Sequence, residues 1–140
     1  MLLSPQSIDH STKRVALSPV EFRSLKLSEK LQVTPHMSLF RFPYTECDQI
    51  SGCKAGEYLA IRAVIDNEPV IRYYSPVSSP NDPYIDLLIK IDDKGGKMSW
   101  YFRDMEVGDT LEFKGPISGF QYSQNMVPEI ALIAGGAGIS

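Results

Sequence analysis

Six short apolar-rich runs, each closed by a turn signal, follow one another between residues 22 and 115. That rhythm favours an antiparallel barrel or sandwich. The runs read FRSLKLSEKLQ (22–32), HMSLFRFPY (36–44), EYLAIRAVI (57–65), PVIRYYS (69–75), YIDLLIKI (84–91) and TLEFKG (110–115). Asp66-Asn67, Pro80-Asn81-Asp82-Pro83 and Gly108-Asp109 punctuate them, residues that favour tight turns. The first run alternates apolar and polar, anchored by Phe22, Leu25, Leu27 and Leu31. The expectation is an all-β domain over 21–122, a six-stranded antiparallel Greek-key β-barrel.

One segment departs from the strand rhythm. GGKMSWYFRDM (95–105) places Met98, Tyr101, Phe102 and Met105 at helical spacing after a glycine pair, which predicts one short helix between two strands. Residues 1–20 are polar with scattered Ser, Thr and Pro, and read as a flexible or loosely docked arm. The chain closes on EIALIAGGAGIS (129–140), an apolar run and a glycine turn. Such a run belongs in the middle of a parallel sheet. It is therefore expected to be the first strand of an α/β nucleotide-binding domain whose remainder lies beyond residue 140.

Composition removes several function classes. The net charge of −3 argues against a basic face for nucleic acid. No apolar run approaches the roughly 20 residues that cross a bilayer. Cys47 and Cys53 are too few for a disulfide scaffold and read as free thiols. No CxxC or HExxH pattern occurs, and His10 and His36 stand alone, so no metal site is expected.

The chemistry-bearing residues gather around one theme. Period-two alternation puts Arg72 and Tyr74 of RYYS on one face of a strand. A guanidinium there can grip a phosphate with two charge-assisted bonds while the aromatic covers a planar ring. GGKMS (95–99) opens the helix, where unpaired N–H groups and the dipole favour an anion. GPISGF (115–120) leaves the last barrel strand, and GGAGIS (135–140) has the shape of a phosphate-binding turn. Each motif alone is common. A surface arginine beside strand tyrosines and a glycine before a helix are the bland alternatives.

The order of these motifs resembles the ferredoxin-reductase superfamily, and within it the NADH-cytochrome b5 reductase group, from Phe22 to Ser140. VIRYYSPVS (70–78) is similar to that family's flavin motif, GGKMS to its FAD pyrophosphate motif, and IAGGAGIS (133–140) to its opening pyridine-nucleotide motif. The resemblance implies FAD as cofactor. It implies that Arg72 holds the pyrophosphate and that Tyr74 lies along the isoalloxazine and ribityl portion. Ser75, in the family's Thr position, would hydrogen-bond near flavin N5 and is the one residue given a catalytic role. Gly95, Gly96, Lys97, Met98 and Ser99 would cradle the diphosphate, Leu88 and Lys90 would line the cleft, and Gly135, Gly136 and Gly138 would meet the second nucleotide. Tyr73 joins the cofactor-binding set in the place of the family's Pro. The linker 91–95 is short, and Asp92 stands where an aromatic is common.

The activity so implied is electron transfer from NADH through FAD to a one-electron haem acceptor such as cytochrome b5. It would take place in the cytoplasm or at the periphery of a membrane, with NADH turnover requiring the second domain. A non-catalytic flavin-binding or protein-interaction barrel is the alternative. An oligonucleotide-binding barrel is disfavoured by the acidic balance.

Overall fold

The computed structural model describes residues 13–91 and 93–139. The elements run β1 (Arg14–Val15), β2 (Arg23–Lys26), β3 (Glu29–Thr34), β4 (Met37–Pro43), β5 (Gln49–Ile50), β6 (Tyr58–Ile65), β7 (Glu68–Tyr74), β8 (Tyr84–Lys90), α1 (Lys97–Asp104) and β9 (Thr110–Ile117). One antiparallel sheet has the order β2-β9-β6-β7 and a second has β3-β4-β8, while β1 and β5 form a small parallel pair. β9 returns after the helix to lie between β2 and β6, a Greek-key return.

The alternation of each strand decides which side is buried. On β6, Leu59, Ile61 and Ala63 face inward, and on β8, Ile85, Leu87 and Ile89 do. The core between the sheets holds Phe40, Phe42, Phe102 and Phe113 with no exposed surface. Two edge-to-face pairs, Phe40–Phe102 and Phe42–Phe113, each have centroids 4.9 Å apart. The predicted helix forms as α1, with Met98 and Phe102 on its buried side. The Asp66-Asn67 turn also forms as expected: both residues have positive φ (54° and 62°), as a two-residue hairpin turn requires.

Three expectations need correction. The run 22–32 is two strands, not one. The chain turns at Leu27–Ser28, so that β2 joins one sheet and β3 the other. Leu27 N–H donates to Asp109 O (2.8 Å) and Ser28 N–H to Arg41 O (2.9 Å), and these long-range bonds fix the corner. Residues 13–18 are not a loose arm. Arg14 and Val15 pair with Gln49 and Ile50, and Ala16 and Leu17 are buried in the core. Ser18 O accepts the Gly115 N–H at 2.9 Å. The rest of the expected arm, 1–12, lies outside the described residues, as do Asp92 and Ser140. Finally, 129–134 is not a strand. No strand among the described residues bonds to it, and Leu132 and Ile133 are 86% and 98% exposed. A hydrophobic run becomes a strand only where a neighbour supplies ladder hydrogen bonds.

Among the described residues no helix is long and apolar enough to cross a membrane, and no cluster of His, Cys, Asp or Glu could hold a metal. Both cysteines are free thiols, Cys47 exposed and Cys53 buried. Burial, then the charge of Glu57, pushes the Cys53 thiol up to about 11. The thiolate is the reactive form. Iodoacetamide at mildly alkaline pH is therefore expected to label Cys47 first and Cys53 only on unfolding, read by peptide mass spectrometry. Equal rates would show that the 51–57 loop opens freely.

Candidate functional site

β7 is an edge strand of one sheet and β8 an edge strand of the other, and α1 packs against both β6 and β8. The register of β7 on β6 sets which of its side chains face inward. Arg72 lies opposite Ile61 and Tyr74 opposite Leu59, both inward residues, so Arg72 and Tyr74 share the inner face. Ile71 and Tyr73 point to the outer face. Tyr74 packs edge-on against Phe102 of α1, with centroids 5.6 Å apart. Burial pushes its phenol above the ordinary value, while the charge of Arg72 works in the opposite direction. Arg72 itself is exposed, and its Nη1 donates to Ile71 O at 2.7 Å.

The helix start carries no side-chain cap. Gly96 is the N-cap, in extended geometry, and no acidic residue stands in the first turn. The first helical bond runs from Trp100 N–H to Gly96 O (3.2 Å), so the N–H groups of Lys97, Met98 and Ser99 precede it. A Cβ placed on Gly96 would meet nothing within 4 Å, which leaves the approach to these amides open. Met98, 2% exposed, anchors the turn in the core, so it can offer a ligand only its backbone. Lys97 Nζ sits 3.1 Å from Asp66 in the β6–β7 turn.

The Ser99 Oγ donates to Lys90 O at 2.9 Å, tying the first turn of α1 to the end of β8. A hydroxyl has one proton to donate, so what Ser99 can offer an anion in this arrangement is its backbone N–H. Leu88 and Lys90 lie on the outer face of β8, opposite Leu39 and Met37.

Ser75 stands half-buried just beyond β7, where two grooves meet. One, of about 290 Å³, is walled by Tyr58, Tyr73 and Tyr74. The other, of about 350 Å³, includes Cys53, Lys54, Gly56, Glu57 and Pro76. Tyr73 is 64% exposed and meets Tyr58 edge-on at 5.6 Å. Gly135, Gly136 and Gly138 lie in or beside a 3-10 turn (Gly136–Ile139) that rests against β8. All three are exposed.

Sequence reasoning missed the crossing beside Ser75. Gly56 has φ +86°, and a Cβ there would fall 2.0 Å from Phe120 O; a Cβ on Gly119 would fall 2.2 Å from Gly56 O. Only glycines allow the 54–57 turn and the 118–120 segment to pass so closely. The sequence signal was the glycine in KAGE just before β6; its partner was not visible.

This arrangement agrees with what comparison shows. The Dictyostelium discoideum protein "NADH-cytochrome b5 reductase 1" is 42% identical over 126 residues, covering 89% of this chain and 44% of that protein. The solved cytochrome b5 reductase domain of Ulva prolifera nitrate reductase superposes with TM-score 0.72 at 33% identity, covering 78% of this chain and 46% of that one. A flavohemoglobin from Malassezia yamatoensis, solved with bound FAD and haem, aligns with TM-score 0.58 at 26% identity over 68% of this chain and 24% of its own. The chain thus spans less than half the length of these relatives. The family described as "Oxidoreductase FAD-binding domain" matches residues 24–122, from β2 to just past β9, and takes in β6, β7, β8 and α1. On that match and that architecture, the chain belongs to the oxidoreductase FAD-binding domain family.

Proposed function

We propose that this chain binds FAD along the inner face of β7. Arg72 and the first-turn amides of α1 would hold the diphosphate, and Tyr74 and Ser75 would flank the isoalloxazine. The observation that carries this reading is the single wall formed by Arg72, Tyr74 and Phe102, because it joins the phosphate-binding arginine to the helix with the uncapped start. The fit is chemical as well as spatial. A dianionic diphosphate suits three N–H groups, the helix dipole and one guanidinium.

The chemistry a bound flavin supplies is conversion of a two-electron hydride donor into single-electron delivery. The protein's part is to bind and orient. Phe102 backs Tyr74 so that the phenol keeps one rotamer, and Ser75 holds a hydroxyl donor at the junction of the two grooves. Gly56 and Gly119 let the 118–123 segment close one side of that junction. We assign the NADH-to-haem-protein reaction, with cytochrome b5 as a representative acceptor, to the longer architecture of the relatives. Within it residues 13–122 act as the flavin cradle and Gly135, Gly136 and Gly138 open the second nucleotide site. The domain limits proposed are 21–122 for the flavin unit and 129–140 for the start of the next, with 13–18 docked on the former.

The test is direct. The purified chain mixed with FAD and desalted should stay yellow and release about one equivalent of FAD on denaturation. Retention of no flavin at micromolar protein would overturn the reading. NADH–ferricyanide turnover is expected only when a nucleotide domain is joined to the chain. Turnover by residues 1–140 alone would contradict the division of labour.

A further inference from the structure

FAD carries a ring system at each end of its diphosphate, and the site above accounts for only one of them. The flavin end has its aromatics: Tyr73 and Tyr74 beside Ser75, with Phe120 and Tyr122 along a neighbouring groove that shares the 54–57 turn. On the other side of the diphosphate the connection from β8 to α1, residues 91–96, carries no aromatic side chain. The nearest ring in sequence is Trp100, the chain's sole tryptophan. It lies in α1 and is 42% exposed, although tryptophan is among the side chains that gain most from burial.

We infer that Trp100 is the platform on which the adenine of FAD stacks; this rests on the FAD reading above. Side chains on a helix lean toward its N-terminus and cover the turn before their own Cα. That lean would carry the Trp100 indole over the Gly96–Lys97 turn, to the edge of the proposed diphosphate cradle. Gly96 leaves that surface bare, with open space where a Cβ would be. The neighbours along the same stripe are engaged elsewhere: Lys97 with Asp66 (3.1 Å) and Arg103 Nε with Asp104 Oδ1 (2.7 Å). Met98 and Phe102 turn to the opposite, buried side. The indole face is thus the flat apolar surface within reach of a purine linked to a phosphate at the helix start. It would make this chain prefer FAD to FMN, which has the same flavin and no adenine.

Two measurements on the flavin-depleted full chain test it. Titration with FAD and with FMN, for wild type and Trp100→Ala, should show the substitution raising the FAD Kd by about fivefold or more, the low end for a base stacked on an aromatic side chain, with the FMN Kd unchanged. Trp100→Phe should keep most of the FAD affinity. ADP, which has no flavin to absorb the emission, should quench wild-type tryptophan fluorescence saturably. Wild-type binding of FAD with the same Kd in Trp100→Ala, or no quenching by ADP, overturns the adenine assignment and leaves the flavin site standing. Wild type that binds neither flavin overturns both. A Trp100→Ala variant that loses FMN as well as FAD, with unaltered circular dichroism, would mark Trp100 as a support of the ring end and also overturn the inference.

Discussion

Arg72→Ala should weaken FAD binding by about tenfold or more while leaving the fold intact. A hydrogen bond to a charged group is worth about 1.5–3 kcal/mol, and each 1.4 kcal/mol is about a factor of ten in Kd. The substitution removes that contact and the only charge on the inner face of β7 between Val70 and Tyr74. It removes little else. The side chain is exposed, and its recorded bond goes to the adjacent Ile71 O, a local contact that binding can exchange for the diphosphate. Arg72→Lys should recover part of the loss, since the ammonium keeps the charge but not the two-pronged geometry. Because the contact is ionic, the wild-type Kd should rise with salt more steeply than that of Arg72→Ala. Fluorescence titration of FAD at two ionic strengths reads all three expectations. An unchanged Kd in Arg72→Ala would remove the guanidinium from the site and leave the helix amides as the only phosphate ligand.

The features that could be read from the sequence are those fixed by local chemistry. The inner-facing pair Arg72 and Tyr74 follows from a period of two, the helix from Met98, Phe102 and Met105, and the β6–β7 turn from an Asp-Asn pair that tolerates positive φ. What escaped was fixed at long range. The corner at Leu27–Ser28 interrupts an alternation that continues through it, and only the bonds to Asp109 and Arg41 reveal it. Val15, Ala16 and Leu17 are three apolar residues in a polar stretch, too few to signal docking, yet Ala16 and Leu17 enter the core beside β5. The Gly56–Gly119 crossing depends on two turns separated in sequence by β6, β7, β8, α1 and β9. The Ser99 proton goes to Lys90 O because the helix folds back on the strand that precedes it. The apolar run 129–134 has the composition of a central strand, but a strand is a property of a pair, and no strand among the described residues bonds to it.

Phe102→Ala should be the most destabilising single change to the flavin wall, at about 3–5 kcal/mol for a fully buried phenylalanine. Phe102 has no exposed surface and touches both sheets. Its ring meets Phe40 of β4 at 4.9 Å and Tyr74 of β7 at 5.6 Å. One side chain therefore fastens α1 to both sheets across the edges that are not bonded to each other. A loss of about 3–5 kcal/mol is a large part of the roughly 5–15 kcal/mol that holds a domain of this size together. Urea titration should show a lower midpoint with little change in slope. Phe102→Leu keeps most of the volume and should lose much less. The effect on flavin should exceed what stability alone predicts. Without its backing ring Tyr74 gains rotamers, and the helix start shifts relative to Arg72, so the FAD Kd should rise even in the fraction that stays folded. Saturating FAD should restore part of the midpoint, because a ligand that binds only the native state stabilises it in proportion to the logarithm of its concentration over Kd. A Phe102→Ala protein with a near-native urea midpoint would mean that α1 is not docked through this ring, and the wall joining Arg72, Tyr74 and the helix would lose its support.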